Sequence, residues 1–309
     1  MGGRWAMRLI LLWTMIFVSL FLSARSEAKS DASPLRLLPT SKWVAEYQND
    51  GCRLIRQFGQ DENQVIVTFS RFSPGDQFNL TLAGEPFRMK SSGIATLQFG
   101  PNEREQRVDF LVGFLGPTMP AAIMSSAIRL APMTEIGQSQ TGESNSNGYY
   151  DDAKIGADRE KVVTYLRARM PLHKPIQLEL GAMDRPFAAL NNCIDELMVH
   201  WGLDVEKHKK LKQKVLPIGD PGAWINSNDY PKKMLAEGQS SIVEYRLDVD
   251  ENGQVVGCHI QETTRKKEFD DAVCNALVRS ANFSPAIDAE GSPIRSYWNG
   301  RVHFQLTAM

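Results

Sequence analysis

Four cysteines, Cys52, Cys193, Cys258 and Cys274, are the side chains best suited to react or cross-link in this chain of 309 residues. No two are spaced Cys-x-x-Cys, so the pattern offers neither a thioredoxin-like redox pair nor half of a zinc ribbon. An oxidising compartment would permit two disulfides through any of three pairings, with buried free thiols as the alternative. The five histidines, His173, His200, His208, His259 and His303, are scattered and form no sequence-local ligand set. His200 follows Cys193 by about two helical turns, a spacing met more often by a packed or surface histidine than by a metal ligand.

Other motifs carry no more chemistry. Gly137-Gln138-Ser139-Gln140-Thr141-Gly142 misses the Gly-x-Ser-x-Gly spacing of a nucleophile elbow and lies within 135–152, a stretch that reads as a long surface loop. No His-Glu-x-x-His, Walker loop or dinucleotide fingerprint occurs. Of the acidic pairs, Asp151-Asp152 closes a loop, and Asp270-Asp271 sits at a helix start where the macrodipole favours it. The expectation is a protein that is not an enzyme and has no catalytic, cofactor or metal site.

Hydrophobic residues make up 42% of the chain, charged residues 23%, and the net charge is −1. These values are ordinary for a globular protein, and with no basic excess nucleic acid is not expected as a partner. The length implies two folded units. Arg4 and Arg8 precede an apolar run from Leu9 to Leu22, and small residues follow at Ala24-Arg25-Ser26 and Ser26-Glu27-Ala28. The run is shorter than the roughly 20 residues that span a bilayer, so residues 1–28 are expected to be a cleaved export signal. An uncut segment would instead anchor the chain in the inner membrane.

Residues 29–40 read as a polar leader. Strand patterns follow at 64–72, 77–82, 93–99 and 107–114, with 119–130 a further strand or short helix. Two more strands are expected at 161–167 and 175–180. In 184–201 Phe187, Leu190, Cys193, Ile194, Leu197 and Trp201 share one helical face, with Asp184 as cap and Pro186 in the first turn. The charged and turn-rich stretch 206–221 reads as a linker between a β-rich domain, 41–205, and a C-terminal domain, 222–309.

In the C-terminal domain, strand 242–249 places Val243, Tyr245, Leu247 and Val249 on one face. Ile242, Glu244, Arg246 and Asp248 fall on the other, which is expected to be wet. Asn252-Gly253 supplies a tight turn to strand 254–262, where Val256, Cys258 and Ile260 should face inward. Helix 268–279 offers Phe269, Ala272, Val273, Ala276 and Leu277 to that sheet. A closing strand spans 293–306, with Asn299-Gly300 a bulge or kink.

Several local signatures occur in order: Tyr230-Pro231, Leu247-Asp248-Val249 through Gly253-Gln254-Val255, and Asn282-Phe283-Ser284-Pro285-Ala286 with Gly291-Ser292-Pro293-Ile294. Arg301-Val302-His303-Phe304-Gln305-Leu306 completes them. Together they resemble the C-terminal domain of the TonB family. Ser241 and Thr263-Thr264-Arg265 depart from the glycine-containing positions of that family. More faintly, Trp43, Gly51-Cys52-Arg53, Phe58-Gly59 and Leu190 through Asp204 resemble the N-terminal region of exported TonB-family proteins.

Together with the strand and helix patterns of the first 205 residues, the resemblance implies an α+β protein: a β-rich N-terminal domain closed by a helix, then a small domain with a three-stranded antiparallel sheet and helices on one face. It implies an exported, periplasmic protein whose partners are outer-membrane transporters or other periplasmic proteins. They would bind by strand addition to the closing strand, with Tyr297, Arg301, Val302, His303 and Phe304 as the partner-binding edge. The domain split favours Cys52–Cys193 and Cys258–Cys274 as the disulfides, and a strand-to-helix bridge of the second kind is similar to one in a TonB-like subgroup. The alternatives are an enzyme in the N-terminal domain with the tail as localiser, or an anchored energy transducer for transmembrane transport. The chain lacks the Pro-Glu/Pro-Lys arm that such a transducer uses to reach across the periplasm.

Overall fold

A computed structural model describes residues 33–130, 155–171, 173–264 and 267–306. The Leu9 to Leu22 run, the loop 135–152 and Arg265 lie outside the described residues. Pro34–Met309 form one compact unit. Among the described residues no helix is long and apolar enough to cross a membrane.

The first half supplies β1 (Leu35–Leu37), β2 (Val44–Tyr47), β3 (Cys52–Phe58), β4 (Val65–Arg71), β5 (Asn79–Ala83), β6 (Gly93–Phe99), β7 (Gln106–Leu115) and β8 (Met119–Met124). Helix α1 (Ala157–Val162), β9 (Leu166–Arg169) and β10 (Ile176–Leu178) follow. The ten strands form one sheet in the order β1-β10-β9-β6-β7-β8-β5-β4-β3-β2. β1 pairs with β10 in parallel, so the stretch read as a leader contributes a strand. Just past it the chain turns to β3: Pro39 bridges Phe58, and Thr40 N donates to Gln57 O at 2.9 Å. The two ends of the sheet therefore meet around a common core.

That core follows from period-two burial. Val65, Val67 and Phe69 of β4 alternate inward, as do Leu80 and Leu82 of β5 and Ala95, Leu97 and Phe99 of β6. Helix α2 (Asp184–His200) adds Phe187, whose ring stacks on Phe78 at 5.7 Å and meets Phe69 edge-on at 5.8 Å. Cys193 of the helix is bonded to Cys52 of β3. Asp184 is the first helical residue rather than the cap, a position held by Met183 without a side-chain hydrogen bond. Within the span read as strand 161–167, the chain is still helical through Val162. Good helix formers fill α1, and Arg159 fixes it by a two-pronged bond to Glu103 at 2.7 Å.

The second half begins with α3 (Val205–His208), capped by Asp204, and β11 (Leu216–Pro217), which pairs with β14 (Phe283–Ser284). The segment 212–218 is thus stitched to the C-terminal region, with Ile218 N donating to Asn282 O at 2.8 Å. Helix α4 (Lys232–Ala236) precedes β12 (Ser241–Val249) and β13 (Val255–Thr263), and α5 (Lys267–Ser280) follows them. β15 (Ala286–Ile287) pairs with β16 (Pro293–Ile294), and β17 (Ser296–Phe304) closes a three-stranded antiparallel sheet in the order β13-β12-β17.

Phe269, Val273, Ala276 and Leu277 of α5 are buried, as are Val243, Tyr245, Leu247 and Val249 of β12. Cys258 of β13 is bonded to Cys274 of α5. Val256 does not face inward as its spacing implied: a register shift between Asp248 and Val249 packs half-buried Val255 against the core and leaves Val256 exposed. In the β12–β13 turn Gly253 adopts φ +80°, and Asp250 Oδ1 accepts from Asn252 N at 2.9 Å and Gln254 N at 2.8 Å. Those backbone donors hold the Asp250 carboxyl below its ordinary range. Just past β13, Thr264 Oγ1 accepts from Ile242 N at 2.9 Å and extends the ladder by one rung.

Candidate functional site

β17 is an edge strand, and the direction of its amides follows from one interaction. Ile242 exchanges main-chain groups with Thr264, on the β13 side: its carbonyl accepts from Thr264 N at 3.0 Å, and its N–H reaches Thr264 Oγ1. Even-numbered residues of β12 therefore turn their amides to β13, and odd-numbered ones to β17. β12 and β17 pair without a register shift, Val243 with Val302, Tyr245 with Gly300 and Leu247 with Trp298. The amides of Tyr297, Asn299, Arg301 and His303 consequently point away from the sheet. The bulge expected at Asn299-Gly300 is not there.

The same alternation sorts the side chains. Val302 and Phe304 lie on the α5 side, where Phe304 meets Phe269 at 5.0 Å and Tyr230 at 5.2 Å. Tyr297 and Arg301 point to the opposite face, against the ten-stranded sheet, and His303 shares that face at its exposed margin. The five residues expected to form one edge thus share a strand but not a surface.

That opposite face is not wet. Glu244 and Arg246 of β12 are buried against the N-terminal half. Arg301 Nε donates to Glu244, its Nη2 to Asn79 Oδ1, and its Nη1 to Ser125 O at 2.6 Å. Asn79 Nδ2 donates to Glu244 Oε1 at 2.8 Å. Asn299 Nδ2 donates to Phe72 O at 2.7 Å, Gln261 Nε2 to Asp50 O at 2.9 Å, and Arg53 Nη2 to Glu262 Oε1 at 2.8 Å. Tyr297 meets Trp201 at 5.4 Å and stacks on His208 at 6.4 Å. Charged residues on a β-strand read as solvent-facing, but here each buried charge has an opposite charge within the seam.

Burial sets the electrostatics. Arg246 lies with its guanidinium 4.0 Å above the Trp201 ring, 3.4 Å from Asp50 Oδ1 and 3.5 Å from Asp248 Oδ1. Its pKa is lowered by desolvation, against the pull of those two carboxylates. Desolvation raises Glu262, opposed by Arg53. His303, exposed at the margin of the seam, is held below the usual histidine range, first by partial desolvation and then by the Arg301 charge, with Asp109 acting the other way. At one end of the seam a cleft of about 520 Å³ is lined by Asn49, Asp50, His200, Trp201, Arg246, Asp248 and His259. His259 Nε2 lies 3.1 Å from Asp248 Oδ2 there.

Residues 226–306 match the family of Gram-negative bacterial TonB protein C-terminal domains. This segment is a TonB-like C-terminal domain. The chain matches no curated protein. Domains of this family serve TonB-dependent transport in the Gram-negative envelope, and their partners are outer-membrane transporters. The TonB-like domain begins upstream of Tyr230-Pro231, a pair with a structural role: Tyr230 Oη donates to Gln239 O, and Pro231 opens α4.

The residues that hold the TonB-like sheet to the N-terminal half, Asn79, Glu244, Gln261 and Asn299, escaped the sequence reading. The available signal was Glu244, Arg246 and Asp248 alternating with the core residues Val243, Tyr245, Leu247 and Val249 along one strand.

Proposed function

We propose that this chain is an exported, non-enzymatic adaptor that binds proteins of the outer-membrane TonB-dependent transport system by strand addition to β17. The observation that carries this reading is the geometry of the two sheet edges. β17 runs in unbroken register with outward amides at Tyr297, Asn299, Arg301 and His303. β13 is interrupted by register shifts opposite Glu244/Tyr245 and Asp248/Val249. Bulges blunt an edge, whereas a regular edge accepts a partner strand.

The seam adds a second element to the reading. With one face of the sheet covered by α5 and the other by the N-terminal half, side chains are withdrawn and the backbone edge is the surface on offer. A photocrosslinking residue in place of exposed His303 tests this in cells. Crosslinks from position 303 to an outer-membrane transporter, and none from Val256 on the bulged edge, are expected. Equal crosslinking from both positions, or from Val256 alone, would reject β17 as the site.

A further inference from the structure

The β7–β8 hairpin extends past its neighbours. β6 stops pairing at Phe110 and β5 at Ala121, whereas β7 and β8 stay paired out to Leu115 and Met119. The tip therefore stands beyond the sheet. No charged residue occurs between Asp109 and Arg129. Phe114 is 56% exposed, and Gly116, Pro117 and Thr118 are exposed with it.

The tip carries apolar side chains on both sides, with Phe114 exposed, Leu115 and Met119 half-buried and Pro120 buried at the base. Phe114 pairs with Pro120 on one face, and Leu115 with Met119 on the other. A protein groove would cover one of these faces; a bilayer interface surrounds both. At the base of the hairpin two outward main-chain groups are satisfied: Val112 N donates to Ser92 Oγ at 3.3 Å, and Pro120 O accepts from Gly84 N at 2.8 Å. Pro117 and Pro120 carry no N–H.

Those same bonds bring the segment 84–92 to the hairpin base. It carries Arg88 and Lys90 against Glu85, and Lys90 is exposed. Arg88 is engaged by Glu85 in a two-pronged pair at 2.7 Å, which leaves Lys90 as the positive charge in excess. An apolar tip with an exposed lysine at its base is complementary to the acyl boundary and the phosphates of an anionic leaflet.

We propose that the hairpin tip, Phe114 to Met119, is a membrane-contacting loop that seats at the surface of an anionic bilayer. The inference does not depend on the β17 reading. It is tested with oxidised residues 34–309, the compact unit that holds both cores and both disulfides, so that the Leu9 to Leu22 run does not contribute. Sedimentation is measured with vesicles of mixed phosphatidylcholine and phosphatidylglycerol, and with phosphatidylcholine alone. The protein should bind the mixed vesicles, with Phe114→Ser about tenfold weaker and Lys90→Glu weaker on the mixed vesicles alone. Both positions are exposed, so each variant should melt like the parent, which a thermal scan verifies. Failure of the folded parent to sediment, or equal binding by Phe114→Ser, would overturn the proposal. So would a dimer in vesicle-free solution that Phe114→Ser abolishes, since the tip would then join two copies of the chain.

Discussion

The Tyr245 ring occupies the space that a side chain at position 300 would fill. A Cβ built on Gly300 would lie 2.9 Å from Tyr245 Cε1 and closer still to its Oη. The two residues are directly paired across β12 and β17. Glycine at 300 therefore lets an aromatic residue from the neighbouring strand cross the edge strand, and the strand stays straight. Burial of the phenol pushes its pKa up to about 12.

Gly300→Ala should thus overpack the sheet and cost about 1–3 kcal/mol in urea unfolding. In a Tyr245→Ala background the space is open, and Gly300→Ala should cost little there. A double-mutant cycle reads the coupling. Additive effects would show that the glycine serves the backbone rather than the ring.

The Arg301–Glu244 pair makes a second, opposite prediction about mutability. Both groups are at the seam, and Glu244 is buried. Removing one partner strands the other charge, so Arg301→Met should destabilise by about 3–5 kcal/mol. Adding Glu244→Leu should recover much of that loss. If Arg301→Met alone is neutral in equilibrium unfolding, water reaches the seam and the pair does not hold the two halves together.

The disulfides act on different scales. Cys52 and Cys193 are 141 residues apart, and Cys258 and Cys274 are 16 apart. In the chain-entropy account, paired Cys→Ala substitution should cost about 5 kcal/mol at the first bridge and about 3 kcal/mol at the second. Unfolding of each double variant against the oxidised parent measures both. A larger loss at the shorter bridge would mean that it fixes α5 on β13 in the native state rather than restricting the unfolded chain.

His303 gives a pH dependence of definite sign. Its folded pKa lies below the unfolded value, so the unfolded chain binds the extra proton first. The stability this group contributes is present above about pH 6.5 and is lost as pH falls through the folded pKa. Between neutral pH and pH 5, His303→Asn should flatten the fall in stability seen in the parent. An unchanged slope would assign the acid sensitivity to other groups.

Much of the TonB-like domain was legible because its signals are local. Asn252-Gly253 announces its turn, and Phe269, Val273 and Leu277 announce the buried stripe of α5. The domain split and the resemblance together favoured Cys258 and Cys274 as a bridge, and the structure joins them. The long-range facts were not. Nothing near Gly300 in the chain reports that Tyr245 lies across it, and nothing near Glu244 reports Asn79. Period-two alternation was also misleading at Val256, because one extra residue reverses the facing of everything beyond it. Leu35–Leu37 was missed because a three-residue strand has too few positions to show a period.

The parity of β17 leads to the sharpest prediction about binding. Proline lacks an N–H, so its effect depends on where that N–H points. At Val302 the amide faces β12, and Val302→Pro should break a ladder bond and unfold the TonB-like domain. At His303 the amide faces outward, so His303→Pro should leave the fold largely intact while removing a donor that an added strand would use. Arg301 also points outward, but its side chain holds Glu244, which makes His303 the cleaner position. Capture of outer-membrane transporters from a detergent-solubilised envelope fraction is the readout, with far-ultraviolet circular dichroism confirming the fold of each variant. Full-strength capture by folded His303→Pro, together with loss in a folded proline variant on β13, would move the partner strand to the opposite edge of the sheet.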